Sequence, residues 1–214
     1  MKKYFLIFGL FTCLFVTAQN KVDDEGLKQG PWERYFEDGQ LRYKGQFIDD
    51  KEVGVFYFYN PSPKYHLAIK KEYDSSGNAY CEFYGPNNVL EAHGYMLGKN
   101  KINTWVYYDK GAMILQENYS NGVLEGMSKV FHTNGQVVEA KSYKKGKLDG
   151  SFLRYSKYGK VLSEETYVNN VKQGQANYYN QEGELILTGQ YSNDSKTGVW
   201  KYFEAGQLQK EKAY

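Results

Sequence analysis

Large side chains recur along this chain at a fixed interval. The positions between them are mostly polar and show neither the spacing of an amphipathic helix nor a continuous apolar run. A column of Gly or Asn divides the sequence from residue 30 onward into eight units of about 24 residues. The column consists of Gly30, Gly54, Asn78, Asn103, Gly126, Gly150, Gly174 and Gly198. Because Gly and Asn tolerate positive φ, it predicts a chain reversal through a left-handed residue in each unit.

Two further columns are aromatic in every unit. The first lies five residues after the Gly/Asn anchor and contains Tyr35, Tyr59, Phe83, Tyr108, Phe131, Tyr155, Tyr179 and Phe203. The second lies near the end of each unit and contains Phe47, Tyr73, Tyr95, Tyr119, Tyr143, Tyr167, Tyr191 and Tyr214. Aromatic pairs across neighbouring strands stabilise a sheet by roughly 0.2–1 kcal/mol each. We therefore predict that both columns are structural.

A third column, two residues after the anchor, is interrupted. It contains Trp32, Phe56, Tyr80, Trp105, Phe152 and Trp200, and it is broken by Ser128 and Ala176. A purely structural ladder gives little reason for such breaks. A single-layer sheet also leaves one row of large side chains partly open to solvent, and exposed apolar area commonly marks a binding surface. This column therefore predicts partner contacts at Trp32, Trp105 and Trp200.

Turn dipeptides separate the first and second aromatic columns in seven of the eight units, as in Asp38-Gly39 and Asn134-Gly135. Short β-rich runs around such dipeptides predict hairpins, each followed by a loop such as residues 121–125. In the second unit Pro61-Ser62-Pro63 replaces the turn, which predicts a looped-out hairpin. The predicted fold is all-β, an elongated single-sheet solenoid of about eight stacked hairpins.

The first eighteen residues differ from the repeats. Lys2 and Lys3 precede an apolar run over residues 4–16 and a small-residue site at Ala18, which predicts a signal peptide over residues 1–18. A membrane anchor is the alternative, but the run is shorter than the roughly 20 residues that span hydrocarbon. Residues 19–29 then form an incomplete N-terminal repeat or cap, and residues 30–214 the repeat domain. Export predicts a periplasmic, outer-membrane-associated or secreted protein.

Charge and cysteine content exclude several classes of function. The chain has 27 basic and 25 acidic residues, and loss of Lys2 and Lys3 leaves 25 of each. Such a balance provides no basic field for nucleic acid. Loss of Cys13 leaves Cys81 alone, so no intramolecular disulfide forms. A Cys81 nucleophile with His93 as base is the enzymatic alternative, but no Gly-rich elbow or further polar partner accompanies the pair.

No pattern of chemistry-bearing residues predicts catalysis. His66, His93 and His132 lie in different units, without the spacing of zinc ligands. The glycines follow the repeat and not a phosphate-binding motif, and most carboxylates lie in turns and loops. We therefore expect no catalytic residue, no metal, no cofactor and no enzymatic activity.

The residues Gly150 to Tyr155, Tyr158-Gly159, Tyr167 and Gly174 carry a family resemblance. This skeleton, with its equivalents in the other units, resembles the variant form of the membrane occupation and recognition nexus (MORN) repeat. The resemblance implies a solenoid of β-hairpins without catalytic residues. Bacterial members are commonly labelled antitoxins of toxin–antitoxin systems, and other MORN-type repeats are associated with protein scaffolding and membrane apposition.

Three functions remain open from the sequence. The leading hypothesis is a non-enzymatic exported module or scaffold that binds a protein partner along a sheet face. The second is an antitoxin or immunity-type protein whose partner is a toxin, and export restricts this hypothesis to a toxin outside the producer's cytoplasm. The third is a cell-envelope glycan-binding protein that uses Tyr and Trp platforms. Apart from these aromatic residues, the sequence gives no specific support for glycan or membrane contact.

Overall fold

The computed structural model describes residues 20–214, which form one open antiparallel β-sheet. The predicted signal peptide, with its small-residue site at Ala18, lies outside the described residues. The strands are β1 (Lys21–Val22), β2 (Lys28–Tyr35), β3 (Leu41–Ile48), β4 (Lys51–Tyr59), β5 (Leu67–Tyr73), β6 (Asn78–Gly85), β7 (Val89–Leu97), β8 (Asn100–Asp109), β9 (Ala112–Ser120), β10 (Val123–Leu124), β11 (Gly126–Phe131), β12 (Val137–Lys144), β13 (Lys147–Tyr155), β14 (Val161–Val168), β15 (Val171–Tyr179), β16 (Leu185–Ser192), β17 (Ser195–Glu204) and β18 (Gln207–Ala213).

Strands pair in the order in which they occur along the chain. β1 pairs with β2, and each later strand pairs with the next, except that β10 and β11, which Glu125 separates, both pair with β9. The substantial contacts between strands all join neighbours in this sheet, so each hairpin is stabilised chiefly by the hairpins beside it. The predicted all-β hairpin solenoid is confirmed.

The turn inside four of the eight units is a three-residue loop that ends in a left-handed glycine, and the fourth and eighth units have two-residue turns. In the first unit the Phe36 amide donates to the Gln40 carbonyl at 2.8 Å, and Gly39 has φ 82°. The second unit differs, since residues 60–66 form the looped-out connection that its prolines predicted. A short 3₁₀ turn over Pro86–Asn88 replaces the regular turn in the third unit.

The Gly/Asn anchors have the predicted conformation but not the predicted role. Seven of the eight have positive φ, and Asn78 does not. These seven do not reverse the chain. Gly54, for example, lies inside β4, where the register against β3 shifts, so it forms a β-bulge. The chain reverses earlier, at two-residue turns such as Asp49-Asp50, and likewise the predicted loop over residues 121–125 is a turn followed directly by β10.

These two-residue turns also hold successive units together. The Lys28 amide donates to Asp50 Oδ1 at 2.9 Å, and the Asp50 amide donates back to the Lys28 carbonyl at 3.2 Å. Leu148 and Asn170 make the same reciprocal pair at 2.7 and 2.8 Å. We call this arrangement the closing pair. It continues the backbone hydrogen bonding of the sheet through the side chain of the turn.

Candidate functional site

The strand registers place one residue of each strand except the two-residue strands β1 and β10 in a single row across the sheet. We call the face that carries this row the tryptophan face and the other face the opposite face. The row contains Trp32, Gly45, Phe56, Lys71, Cys81, Gly94, Trp105, Glu117, Ser128, Lys141, Phe152, Glu165, Ala176, Gly189, Trp200 and Lys212. It includes seven members of the interrupted column.

Four of the five large rings of this row are buried, and Trp32 is the exception. Trp105 is 2% exposed and Trp200 is fully buried. The Trp105 indole lies directly over Gly94, where an added methyl carbon would be 2.5 Å from the ring. Its Nε1 donates to the Tyr95 carbonyl at 3.0 Å, and Lys101 Nζ covers the ring at 4.7 Å. A partner therefore has no access to Trp105 or Trp200 in this fold.

The assumption that the interrupted column is the solvent-facing recognition surface is thus wrong at Trp105 and Trp200. Trp32 is half-buried, and its ring packs on Phe47 with 5.9 Å between centroids. It also lines a shallow cleft with Lys44 and Tyr57, so it alone of the three candidate contacts retains an accessible surface.

The breaks in the column have a structural cause. Ala176 is buried beside the equally buried Glu165, its cross-strand partner. The Glu165 carboxylate accepts from Lys172 Nζ at 2.8 Å and from the Tyr178 hydroxyl at 2.5 Å. Burial alone would raise the pKa of Glu165, but the hydrogen bonds from Lys172 and Tyr178 outweigh it and lower that pKa below its ordinary value. A long side chain thus fills the space that a ring occupies elsewhere.

The two complete aromatic columns are also placed differently from one another. In the first column Tyr35 is 52% exposed. The other members are half-buried, namely Tyr59, Phe83, Tyr108, Phe131, Tyr155, Tyr179 and Phe203. In the second column Phe47 is buried, whereas Tyr95 is exposed. The column assigned to the scaffold therefore has more solvent contact than Trp105 and Trp200, to which partner binding was assigned.

The third unit turns aromatic rings outward because it has no bulge at its anchor, Asn78. Asn78 is not left-handed, and β5 and β6 pair without a register shift. Consequently Cys81 points to the tryptophan face, and its sequence neighbour Tyr80 points to the opposite face beside Tyr95. Tyr95 is 42% exposed. Residue type at the anchor did not indicate this change of face, because Asn103 is also an asparagine and is left-handed.

Tyr80, His93, Tyr95 and Tyr108 form what we call the central aromatic cluster. The Tyr80 ring lies 5.2 Å from that of Tyr95 and 5.6 Å from that of His93. His93 stacks on Tyr108 at 5.8 Å, and His93 Nε2 lies 3.1 Å from the Tyr108 hydroxyl oxygen. The cluster is therefore a connected group of rings with polar edges.

An open cleft adjoins this cluster through Tyr108. Its volume is about 740 Å³, and its walls include Val89, Leu90 and Ile114. Val89 is exposed. The cluster and the cleft together give the opposite face a continuous aromatic and aliphatic surface, which the interrupted column did not predict.

The cysteine is unsuited to nucleophilic chemistry. Cys81 is fully buried, and burial raises the pKa of its thiol to about 11. It pairs across the strands with Gly94, so it lies on the face opposite to His93. Within residues 20–214, no group of three or more His, Cys, Asp or Glu side chains could hold a metal ion.

The described part of the chain also contains no helix with the length and apolar character required to cross a bilayer.

Comparison with known families identifies the repeat. The sequence model described as the MORN repeat variant matches residues 28–49 and 124–145, which correspond to the hairpins β2–β3 and β10–β12. No curated protein matches the sequence. MORN repeats generally mediate protein or membrane binding and are not typically enzymatic. The chain therefore contains variant MORN repeats at these two hairpins, and the same residue skeleton recurs in its other units.

Proposed function

We propose that this protein is a non-enzymatic binding module that engages a protein partner through the central aromatic cluster. The observation that carries the proposal is the missing bulge at the start of the third unit, which leaves Tyr80 and Tyr95 on the opposite face. Elsewhere the equivalent large side chains, such as Trp105 and Trp200, are used to bury the tryptophan face. Tyr80 and Tyr95 do not contribute to the burial of that face.

The chemistry of this surface suits a protein partner. Protein interfaces are enriched in Tyr and other aromatic residues at their centre and are polar at their rim. Here the rings adjoin the aliphatic cleft walls of Val89 and Ile114. A charged pair flanks them, since Lys70 Nζ lies 3.1 Å from Glu82 Oε2, and Glu82 pairs across the strands with His93.

The proposed place of action is outside the cytoplasm, in the periplasm, at the outer membrane or in the medium. The support is the sequence pattern of residues 1–18. A toxin is a narrower identity for the partner, and its support is the family resemblance alone.

Site-specific photocrosslinking tests the proposal. A photoreactive phenylalanine at Tyr95 should crosslink one dominant protein in the native cellular fraction, and the same group at Tyr158 should not. Tyr158 is a matched control, because it is also an exposed tyrosine, at 66%, and lies three units away from the cluster.

Binding measurements with the captured protein complete the test. Tyr95→Ala should weaken binding by a factor of about 30 or more, since a central interface tyrosine commonly contributes about 2 kcal/mol. Tyr158→Ala should leave affinity and melting temperature unchanged. Equal crosslinking from both positions, or equal affinities for the two variants, would refute the assignment of the partner to the central aromatic cluster.

A further inference from the structure

Two irregular segments of the chain meet at a second cleft, distinct from the one beside Tyr108. The looped-out residues 60–66 of the second unit and the 3₁₀ turn over Pro86–Asn88 of the third unit form its walls. The lining residues are Tyr59, Tyr65, His66, Leu67, Asn87 and Asn88, and the volume is about 520 Å³. This volume is within the range typical of small-ligand sites. We call it the loop cleft.

Its aromatic wall is a stacked tyrosine pair. The rings of Tyr59 and Tyr65 are nearly parallel, with 8° between their planes and 5.4 Å between centroids. Tyr65 remains 39% exposed in spite of this stacking. In a parallel pair each ring contacts the other through one of its two faces, so the second face of each ring is available for other contacts. The pair therefore presents a flat aromatic platform to the cleft.

The polar wall consists of two asparagines in an unusual conformation. Asn87 and Asn88 both have left-handed backbones, with φ 64° and 57°. Both side chains are exposed and line the cleft, so each amide offers a donor and an acceptor to a ligand. No other turn of the described chain combines a 3₁₀ segment with two consecutive left-handed asparagines.

The imidazole of the cleft is already hydrogen-bonded within its own loop. His66 Nδ1 lies 2.6 Å from the Lys64 carbonyl oxygen, and His66 Nε2 lies 3.1 Å from Asn60 Nδ2. These two contacts tie the ring to the loop. Since no Asp, Glu, Lys or Arg lines the cleft, it has no charged group with which to bind an ionic ligand.

We propose that the loop cleft is a binding site for a neutral saccharide. The C–H face of a pyranose ring stacks on an aromatic platform, and its hydroxyl groups pair with side-chain amides and phenols. The platform of Tyr59 and Tyr65 and the amides of Asn87 and Asn88 supply both elements on facing walls. A peptide would need backbone partners or a charged anchor, and an anion would need a cation. The proposal is independent of the protein-binding function, which rests on other residues.

A glycan array followed by calorimetry tests this site. Full-length mature protein should bind at least one class of neutral oligosaccharide, including β-linked glucose and N-acetylglucosamine tetramers among the probes. Tyr65→Ala should weaken that binding about tenfold, because it removes both the stacking face and the apolar area that the sugar would cover. Asn88→Gly keeps the left-handed backbone accessible and removes the amide, so it should weaken binding without a change in fold.

The controls separate this site from the protein-binding surface. Tyr158→Ala and Tyr95→Ala should both bind the saccharide as the wild type does, and circular dichroism should show the same fold for all variants. Absence of binding to every neutral glycan would overturn the proposal. So would selectivity for charged glycans, or unchanged affinity in both Tyr65→Ala and Asn88→Gly.

Discussion

The tryptophan face is filled in two different ways, and the environments of Trp105 and Ala176 show the contrast. At Trp105 a ring covers a glycine, and Cys81, Phe83 and Tyr119 pack around it. At Ala176 the small residue faces Glu165, whose carboxylate is held by Lys172 and Tyr178. Both arrangements bury the same column. Side-chain volume is therefore distributed over cross-strand pairs, and a residue's role depends on its partner across the strands.

Of the two arrangements, the Trp105 ring over Gly94 should contribute more to the free energy of unfolding. Trp105→Ala should lower the free energy of unfolding by about 3–5 kcal/mol, because it leaves a large cavity on the tryptophan face. Tyr155→Ala should cost only about 1–2 kcal/mol, because Tyr155 is half-buried and its removal opens the site to water. Urea denaturation of both variants measures the difference. A larger loss for Tyr155→Ala would reverse the roles assigned to the two columns.

Gly94 and Trp105 pack so closely that a single added methyl group should measurably lower stability. Gly94→Ala should destabilise the protein by about 1–3 kcal/mol through overpacking against the indole. The same change in a Trp105→Ala background should cost nothing or stabilise slightly, since the clash is absent and glycine weakens a strand. Denaturation of the four proteins of this cycle gives the coupling. Equal costs in both backgrounds would contradict the proposed packing.

Replacement of the polar pair of Ala176 and Glu165 by a ring over a glycine should show a coupling energy of about 1–2 kcal/mol between the two substitutions. Ala176→Trp alone should be destabilising, because the new ring competes with the Glu165 side chain for the same volume. Addition of Glu165→Gly recreates the Gly94 and Trp105 pair, so the double variant should be more stable than the sum of the single changes. Strict additivity in thermal or urea unfolding would show that the two sites are independent.

The contribution of Glu165 to the free energy of unfolding should depend on pH and amount to about 1 kcal/mol. The pKa of Glu165 is lower in the folded protein than in the unfolded chain, so the unfolded chain takes up the proton first as pH falls. The stabilisation is complete above the unfolded pKa and is lost as pH falls through the folded pKa. The stability difference between wild type and Glu165→Gln should therefore narrow in acid. A difference that is constant from neutral pH to below the folded pKa would contradict this charge-dependent role.

The sequence predicted the units, the hairpins and the aromatic columns because each depends on local residue types. Asp38-Gly39 specifies a turn, and Pro61 with Pro63 disrupts one, whatever the remainder of the chain does. The direction in which a column faces is not local in this sense. The left-handed Gly54 suggested a turn from its residue type, but as a bulge inside β4 it changes the alternation of all later residues in that strand.

The candidate sites were missed for the same physical reason. Tyr80 occupies the same column as Trp105, but Asn78 forms no bulge, so Tyr80 lies on the other face. The break at Ala176 suggested an exposed surface because its cross-strand partner Glu165 is eleven residues away in sequence and contributes nothing to the column. The loop cleft joins segments of two units, and their shared walls depend on strand register.

The closing pair also has a geometric consequence. Each unit adds two strands at about 4.8 Å, so it advances the sheet by about 10 Å. Because Asp50 and Asn170 bind the backbone of the unit immediately before them, the junction is specified within one repeat length. Duplication or removal of an internal unit would therefore shift all later units by that increment and leave their internal contacts unchanged. The number of repeats therefore sets the length of the sheet across its strands, in steps of about 10 Å.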